Sequence, residues 1–476
     1  MSGPGAARKR LFGTDGVRGT AGEYPLDPGT VARLGEALVR ILPAEGRRVR
    51  IIIGRDTRES GPAIEAALVR GIEASGARAD RGGVLTTPAV ACVTRSLGYD
   101  AGIVVSASHN PFRDNGIKIF SRRGFKLPDG LEADLEALVL GDRPMPGASV
   151  AGNAAAGDAA AAGGTPPAGA DSPAPASPET LRACYLDLLK ASVPRATSFA
   201  GFSVVLDCAN GAASELAPRL FRDLGAEVAV LNDRPDGRNI NEGCGALHPG
   251  RLAEEVVRRG ARLGLAFDGD ADRCLPVDGS GRILDGDYVL FLAARDLRRS
   301  GRLRGGAVVG TVMTNLWLER ALDGEGVGMR RAAVGDKYVL EEMLRGGLVL
   351  GGEQSGHIIF LERSTTGDGL LTGLMLMELL CRGPVDLAAW AATIHPCPQV
   401  LVNVAVREKP PLETHPEIGP AISAEEQKLQ GRGRILVRYS GTEPKARIMI
   451  EGEPRDAIEA AASRLKQVIE SALGRT

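Results

Sequence analysis

Along most of the chain, short runs of apolar residues alternate with stretches in which apolar residues recur every three or four positions. The compact β-branched run at 49–53 predicts a buried strand, and the spacing of Val31, Leu34 and Leu38 predicts an amphipathic helix. A strand, a polar loop and a helix recur near positions 50, 205 and 308. Strands that alternate with helices form largely parallel, covered sheets. The pattern therefore predicts three related, mixed-sheet α/β domains.

The C-terminal part of the chain follows a different pattern. Strands are predicted at 401–406, 434–439 and 446–451, with helices at about 424–429 and 457–473. This order of elements predicts a smaller α+β domain. We expect the four domains to surround a central cleft.

A segment of biased composition separates the first two domains. From Met145 to Ser177 the chain is almost entirely Ala, Gly, Pro, Ser and Asp, with no large apolar residue after Val150. Such a segment cannot bury enough apolar surface to offset its ordering entropy, so we interpret it as a linker or surface loop. The predicted division is domain I, the linker, domain II, domain III and domain IV, at 1–144, 145–177, 178–286, 287–395 and 396–476.

Composition narrows the classes of partner. A chain of 476 residues is too long for one core, and its 58 basic and 59 acidic residues give a net charge of −1. The chain as a whole therefore has no excess of positive charge that would attract nucleic acid or an anionic membrane. There is no apolar run of about 18 residues and no signal-peptide pattern, and the 7 cysteines are widely spaced. We expect a cytoplasmic protein without nucleic-acid or membrane partners, and a homodimer is left open.

Hydroxyl residues follow the predicted strand at the end of domain I. The strand leads into Ser106, Ser108, His109, Asn110 and Pro111. In open α/β sheets, ligands bind just beyond the carboxyl ends of the strands, so these hydroxyls are candidate nucleophiles. The alternative is a turn whose serines bond their own backbone. Spacing alone does not choose between Ser106 and Ser108.

Three acidic residues alternate after a strand of domain II. In an extended chain, Asp268, Asp270 and Asp272 would direct their carboxylates to one side. Clustered carboxylates repel one another unless a hard cation neutralises them, which favours a Mg²⁺ site over the alternative of a solvated acidic turn. An EF-hand loop is excluded, because its sixth position would be Arg273 instead of Gly and its twelfth Gly279 instead of Glu.

Two further loops carry polar groups at suitable spacing. In the glycine-rich stretch Gly351–His357, Glu353 and Ser355 could bond neighbouring sugar hydroxyls, unless the stretch is a turn without a ligand. In domain IV, two guanidinium groups flank hydroxyls and exposed amides that suit a phosphate, with a plain hairpin loop as the alternative. The residues of this anion loop are Arg438, Ser440, Gly441, Thr442 and Arg447. Together the four loops favour phosphoryl transfer on a sugar phosphate.

Four ordered motifs carry a family resemblance. They are Phe12–Gly19, Val334–Val339, Gly352–His357 and Thr365–Gly369. On these motifs the chain resembles the phosphohexomutase superfamily along its whole length outside the biased insert, and within it the bacterial branch that acts on glucosamine phosphates. Lys337 departs from that branch, which often has arginine there.

The resemblance implies a role for each residue of the reaction centre. Ser108 would carry a phosphoryl group in the resting enzyme, and a phosphate oxygen on it would join the three aspartates around one Mg²⁺. Arg18 and Arg273 would flank the phosphoryl group as it moves. Lys118 would transfer a proton, and His109 would orient the loop.

The resemblance also implies a substrate grip and an intermediate. Glu353 and Ser355 would hold sugar hydroxyls, and the anion loop would hold the phosphate that is not reacting. The reaction would pass through glucosamine 1,6-bisphosphate. Two alternatives stay open: a relative that prefers mannose or glucose phosphates, and a non-catalytic protein that binds sugar phosphates.

Overall fold

The fold is described from a computed structural model of the chain. It covers the residues 11–13, 15–43, 46–144, 175–383, 386–429, 431–440 and 444–474. Most of the predicted linker, residues 145–174, lies outside this part of the chain, as do Gly441 and Thr442 of the anion loop.

Domain I contains a six-stranded sheet in the order β1-β2-β6-β5-β3-β4. Strands β3, β4 and β5 are parallel, and the other pairings are antiparallel. Its elements are β1 (Phe12–Gly13), β2 (Gly16–Thr20), α1 (Pro28–Ile41), β3 (Arg50–Arg55), α2 (Gly61–Ala74), β4 (Arg78–Val84), α3 (Thr87–Ser96), β5 (Ala101–Val105), β6 (Asp114–Ser121) and α4 (Asp129–Leu140).

Domain II contains a four-stranded sheet in the order β10-β9-β7-β8, in which only β10 is antiparallel to its neighbour. Its elements are α5 (Pro178–Lys190), β7 (Ser203–Asp207), α6 (Ala213–Asp223), β8 (Glu227–Leu231), α7 (Gly250–Arg259), β9 (Leu263–Phe267) and β10 (Cys274–Asp278).

Domain III repeats this arrangement with the sheet order β12-β11-β13-β14, and β14 is the antiparallel strand. Its elements are α8 (Gly286–Arg299), β11 (Ala307–Thr311), α9 (Leu316–Gly324), β12 (Gly328–Ala332), α10 (Asp336–Gly346), β13 (Leu350–Gly352), β14 (Ile358–Phe360), α11 (Gly369–Arg382) and α12 (Leu387–Ala392).

The three domains share one topology. In each, the second strand pairs with the first, the first with the third, and the third with an antiparallel fourth strand: β4-β3-β5-β6, β8-β7-β9-β10 and β12-β11-β13-β14. The predicted relation between the three mixed-sheet α/β domains is therefore confirmed.

Domain IV is smaller and wholly antiparallel in its sheet, which has the order β15-β17-β16. Its elements are β15 (Gln399–Ala405), α13 (Ile418–Leu429), β16 (Gly433–Tyr439), β17 (Lys445–Gly452) and α14 (Arg455–Leu473). Two rows of residues cross the sheet: Arg447 lies opposite Asn403 and Arg438, and Glu451 lies opposite Gln399 and Arg434. Helix α13 is longer than the predicted 424–429.

Side-chain caps begin several of the helices. Hydroxyl, amide or carboxylate oxygens accept hydrogen bonds from amides of the first turn, which satisfies donors that the helix itself cannot pair. The capping residues are Asp27, Thr86, Ser177, Asp285, Asn315, Asp368 and Asp386.

The apolar cores are distributed unevenly. One contiguous cluster runs through domains I, II and III and includes Val90, Leu265 and Leu374. Domain IV has a separate cluster, which contains Ile448 and Leu465. None of the helices in the described part of the chain has the length and apolarity that a bilayer crossing requires.

Candidate active site

Three of the predicted motifs occupy the same loop of the repeated topology. The loop between the third and fourth strands contains Ser108 in domain I, the three aspartates in domain II and Glu353 in domain III. The third strand of each sheet is parallel to the first. The loop that follows it therefore lies at the carboxyl end of a parallel strand, where open α/β sheets bind ligands. The repeat thus explains why candidate chemistry recurs at one position.

The two candidate serines have different partners. Ser108 Oγ donates to Asp268 Oδ2 at 2.6 Å and lies 3.3 Å from His109 Nδ1. The Ser106 hydroxyl donates instead to Asp56 Oδ2 at 2.7 Å and accepts a hydrogen bond from the Ser108 amide at 2.9 Å. Ser108 is therefore directed at the acidic cluster, whereas Ser106 supports the loop beneath it.

The three aspartates form a compact cluster. One carboxylate oxygen of each of Asp268, Asp270 and Asp272 lies within 4.8 Å of the others, and all three side chains are buried. The extended chain predicted for this stretch is wrong: it is a turn, with Ala271 at a φ of 55°. The left-handed residue folds the chain back, so the carboxylates converge through the turn instead of through strand alternation.

The donor set of the cluster fits a hard divalent cation. Asp270 Oδ1 and Asp272 Oδ1 are buried without a hydrogen-bond partner. Buried carboxylate oxygens without partners are costly, and clustered carboxylate oxygens are the ligands that a hard cation such as Mg²⁺ prefers. Burial, then repulsion from the other two aspartates, raises the pKa of Asp268 well above its ordinary value.

A buried lysine joins the cluster from strand β6. Lys118 Nζ lies 3.0 Å from Asp270 Oδ2, 3.5 Å from Asp272 Oδ2 and 3.2 Å from Asp15 Oδ2. Burial alone would lower the pKa of Lys118, but the surrounding carboxylates, Asp15 first, hold it well above the ordinary lysine value. The amine is therefore a cation that offsets part of the negative charge of the cluster.

Two arginines and a histidine surround the reaction centre. Arg18 Nη1 donates to the carbonyl oxygen of Ala107 at 3.5 Å, and Arg273 Nε lies 3.9 Å from Asp272 Oδ1. Burial, then repulsion from Arg273 and Arg18, lowers the pKa of His109 to about 4. His109 is therefore neutral at pH 7 and can accept or donate a hydrogen bond at Ser108 Oγ without adding charge.

The domain III loop is held from two sides. Glu353 Oε1 accepts a hydrogen bond from the Gly335 amide at 3.0 Å, and the Ser355 hydroxyl is buried without a partner. A Cβ atom at Gly286 would lie 2.0 Å from the carbonyl oxygen of Glu353, so only glycine permits this packing. The loop is consequently fixed in place, with the Ser355 hydroxyl unpaired among the described residues.

Sequence reasoning missed three residues that link the domains here. His357 Nε2 accepts a hydrogen bond from Gly367 N at 2.9 Å, and its Nδ1 lies 3.6 Å from Asp272 Oδ2. Lys126 of domain I forms ion pairs with both Asp15 and Asp336. His357 and Asp336 lie in two of the motifs that carry the family resemblance, Gly352–His357 and Val334–Val339, and that position could have identified them. Lys126 lies in none of the four motifs.

The anion loop of domain IV has a different setting. Arg438 and Arg447 are direct cross-strand partners on β16 and β17, and burial, then repulsion from Arg447, lowers the pKa of Arg438. The Ser440 amide donates to the carbonyl oxygen of Lys445 at 2.9 Å. The opposed guanidinium groups can form a two-armed anion site. Gly441 and Thr442 lie outside the described residues, so their predicted role stays a prediction.

Comparison with protein families matches all four domains in order. The matches are to phosphoglucomutase/phosphomannomutase, alpha/beta/alpha domain I at residues 9–144, domain II at 183–281, domain III at 285–396 and the C-terminal domain at 401–468. The chain belongs to the phosphoglucomutase/phosphomannomutase family of enzymes, which confirms the resemblance noted in the sequence.

Individual relatives narrow the comparison within the family. The phosphoglucosamine mutase of Moorella thermoacetica is 47% identical over 96% of this chain and 99% of its own, and that of Anaeromyxobacter sp. is 45% identical over 98% and 96%. Among solved structures, a phosphoglucomutase/phosphomannomutase family protein from Burkholderia thailandensis is 25% identical, with a TM-score of 0.76 over 97% of both chains.

Proposed function

We propose that this protein is a phosphoglucosamine mutase, which interconverts glucosamine 6-phosphate and glucosamine 1-phosphate. One observation carries the mechanism: Ser108 Oγ lies 2.6 Å from a buried aspartate of the carboxylate cluster. The sugar preference is supported by phosphoglucosamine mutases at 44–47% identity over nearly the whole chain. The product would feed the synthesis of UDP-N-acetylglucosamine in the cytoplasm.

In the proposed cycle, phosphorylated Ser108 is the resting donor. Its phosphoryl group passes to the free hydroxyl of the substrate: the Ser108 Oγ–P bond breaks, a sugar O–P bond forms, and the proton of the sugar hydroxyl is transferred to Ser108 Oγ. The product is bound glucosamine 1,6-bisphosphate. After the intermediate turns over, Ser108 Oγ takes the other phosphoryl group and releases the isomer.

The charged groups around Ser108 support this assignment. Arg18, which bonds the carbonyl oxygen next to Ser108, and Arg273, beside Asp272, would neutralise a phosphoryl group between Ser108 and the substrate. Lys118 is proposed to relay this proton, giving one of its own protons to one oxygen as it takes the proton of the other, so that it stays an ammonium group. Neutral His109 orients Ser108 Oγ. Since phosphoryl transfer involves little covalent chemistry for the protein, positioning and charge stabilisation supply most of the catalysis.

Asp268, Asp270 and Asp272 would hold one Mg²⁺ together with an oxygen of the Ser108 phosphate. When bound, the ion would neutralise part of the charge on the transferring group. The chain's own contribution is to keep the three carboxylates buried and converging in the 268–273 turn. Their orphaned oxygens support this fit.

Glu353 and Ser355 are proposed to bond sugar hydroxyls, and the anion loop to hold the distal phosphate through Arg438, Ser440, Gly441, Thr442 and Arg447. Both ends of one sugar must visit Ser108, so the grip has to work in two orientations. A phosphate site on a domain with a separate core suits this requirement.

The deciding experiment is a substrate panel. Turnover of glucosamine, glucose and mannose phosphates would be measured on protein whose phosphate occupancy at Ser108 is known from mass spectrometry. We expect the highest kcat/KM on glucosamine phosphate, with loss of activity in chelator and recovery with Mg²⁺. Higher efficiency on mannose or glucose phosphate would assign the phosphomannomutase/phosphoglucomutase activity instead. No phosphate exchange with any bisphosphate would indicate a non-catalytic binding protein.

A further inference from the structure

The segment Arg55–Ser60 has no part in the proposed cycle. It nevertheless contacts the nucleophile loop, residues 106–113 between β5 and β6, at several points. Arg58 is fully buried beneath that loop. Its Nε donates to Asp56 Oδ2 at 2.8 Å. Its Nη atoms donate to four carbonyl oxygens of the nucleophile loop and its flank, those of Ser108, Asn110, Pro111 and Asp114. A guanidinium group has five N–H donors, and each of them therefore has an acceptor here.

A second chain of hydrogen bonds runs through Asp56. Its Oδ1 accepts from the Arg58 amide at 3.0 Å, and its Oδ2 accepts from the Ser106 hydroxyl at 2.7 Å. The Ser106 hydroxyl in turn accepts from the Ser108 amide at 2.9 Å. Both the amide and the carbonyl of Ser108 are thus tied, directly or through Ser106, to the Asp56–Arg58 pair.

Domain II also donates hydrogen bonds to two of these four carbonyl groups. Asn241 Nδ2 donates to the carbonyl oxygens of Ser108 at 2.9 Å and of Asn110 at 3.3 Å. Ser108 itself has a φ of 53°, a left-handed conformation that is strained for a serine and persists only where its surroundings impose it. The hydrogen bonds of Arg58 and Asn241 supply that constraint.

We propose that Arg58 is a positioning residue for phosphoryl transfer, with Asn241 as its partner across the domain boundary. By drawing the carbonyl groups of the loop toward one guanidinium group, Arg58 fixes the backbone of Ser108 and so the direction of Oγ. It also keeps carbonyl dipoles away from the dianion that Ser108 would carry. Lysine cannot replace it, because an ammonium group has only three donors. This inference rests on the proposed function.

The test compares Arg58→Lys with Arg78→Lys. Arg78 is the matched control, because it also pairs with an aspartate two residues away, Asp80, on β4 of the same domain. We expect Arg58→Lys to lower kcat by about 100-fold, the cost of misplacing a reacting atom by about 1 Å. KM should stay within threefold. Single-turnover transfer from hexose 1,6-bisphosphate to Ser108 should slow by the same factor while the Kd of the bisphosphate is unchanged. The control should retain parental kcat.

Three results would overturn the proposal: a natively folded Arg58→Lys protein with kcat within threefold of the parent, a rise in KM equal to the loss in kcat/KM, or an equal loss in Arg78→Lys. If Arg58→Lys does not fold, Asn241→Ala decides, since it removes two bonds to the same carbonyl oxygens. A tenfold loss of the single-turnover rate at unchanged Kd supports the proposal, and an unchanged rate contradicts it. A parent that turns over no hexose phosphate would refute the proposed function instead.

Discussion

The nucleophile loop of domain I and the anion loop of domain IV differ in burial and in how firmly they are joined to the other domains. Ser108 and Asp268 are buried, belong to domains that share one apolar core, and are bonded across the domain boundary. Arg438 and Arg447 are half-buried on the sheet of a domain with its own core. Contacts from domain IV to domain III include the bonds of Arg434 to the Val312 and Thr314 carbonyls, both 2.7 Å.

The difference follows from what each loop has to do. A transferring phosphoryl group tolerates little displacement, so the groups around it need a rigid setting. In the proposed cycle, a distal phosphate is released and rebound when the sugar exchanges its ends, and a site on a domain with its own core suits that exchange. Variants in the first loop should therefore change kcat, and variants in the second should change KM.

The largest effect is expected at the nucleophile. Ser108→Ala should lower kcat by at least about 1000-fold, because the atom that accepts the phosphoryl group is lost. Ser106→Ala is the control, since its hydroxyl only supports the loop, and it should fold and keep part of its activity. Steady-state assays on both proteins, with circular dichroism for folding, check this. An active Ser108→Ala beside an inactive Ser106→Ala would exchange the two roles.

The next largest effect is expected in the carboxylate cluster. Asp268→Asn should lower kcat by about 100-fold and abolish the rise in Tm that Mg²⁺ gives the parent, because one oxygen ligand loses its charge. Without metal the variant should be no less stable than the parent, since a neutral amide avoids the burial cost and the repulsion that together raise the pKa of Asp268. Thermal melts with and without Mg²⁺ measure both. Glu255→Gln, an acid on the surface of α7, should leave the Mg²⁺ response intact.

A smaller effect of a different kind is expected in domain IV. Arg438→Ala should raise KM for the sugar phosphate by about tenfold and change kcat by less than about threefold, because one charge-assisted hydrogen bond to phosphate is lost. Steady-state kinetics separates the two constants. Arg455→Ala, at the exposed start of α14, should change neither. A fall in kcat without a change in KM would remove the contrast between the two loops.

The smallest effect concerns pH. Because the pKa of His109 is lowered to about 4, the unfolded chain binds its proton first as the pH falls. The free energy of unfolding of the metal-free, dephosphorylated protein should therefore decrease between about pH 6.5 and 4, and His109→Gln should reduce that slope. Glu425 of domain IV, with its pKa lowered to about 2 by Arg464, should lose its contribution only below about pH 4.5. Urea unfolding across this range measures the slope, and an unchanged slope in His109→Gln would contradict the prediction.

Much of the fold could be predicted from the sequence, because strands such as β5 and helices such as α1 carry clear apolar patterns. The candidate site was predicted through residue types in polar loops, but not through its geometry. Spacing could not separate Ser106 from Ser108, since their difference depends on Asp56 and Asp268, which lie 50 and 160 residues away along the chain. The aspartates converge through a left-handed residue that no pattern of alternation indicates.

Arg58 was not assigned a role for a related reason. Apart from Asp56, its acceptors are backbone carbonyl groups. Every residue has one, so the sequence does not indicate which of them Arg58 contacts. Lys126 was missed because its partners, Asp15 and Asp336, come from two domains. Residues that act through long-range contacts become visible only when the chain is folded.

Strand β17 gives domain IV the geometry of a lever. Glu451 accepts hydrogen bonds from Arg434 and from the Leu316 amide of domain III, and this contact is the fulcrum of the lever. Arg447 lies four residues away along the strand. At the rise of an antiparallel strand this separation is about 13 Å. A tilt of about 15° around the fulcrum would swing the guanidinium pair through about 3 Å, roughly the length of one hydrogen bond. If this pair holds the distal phosphate as proposed, a small rotation of domain IV would be enough to break and remake its hydrogen bonds to that phosphate.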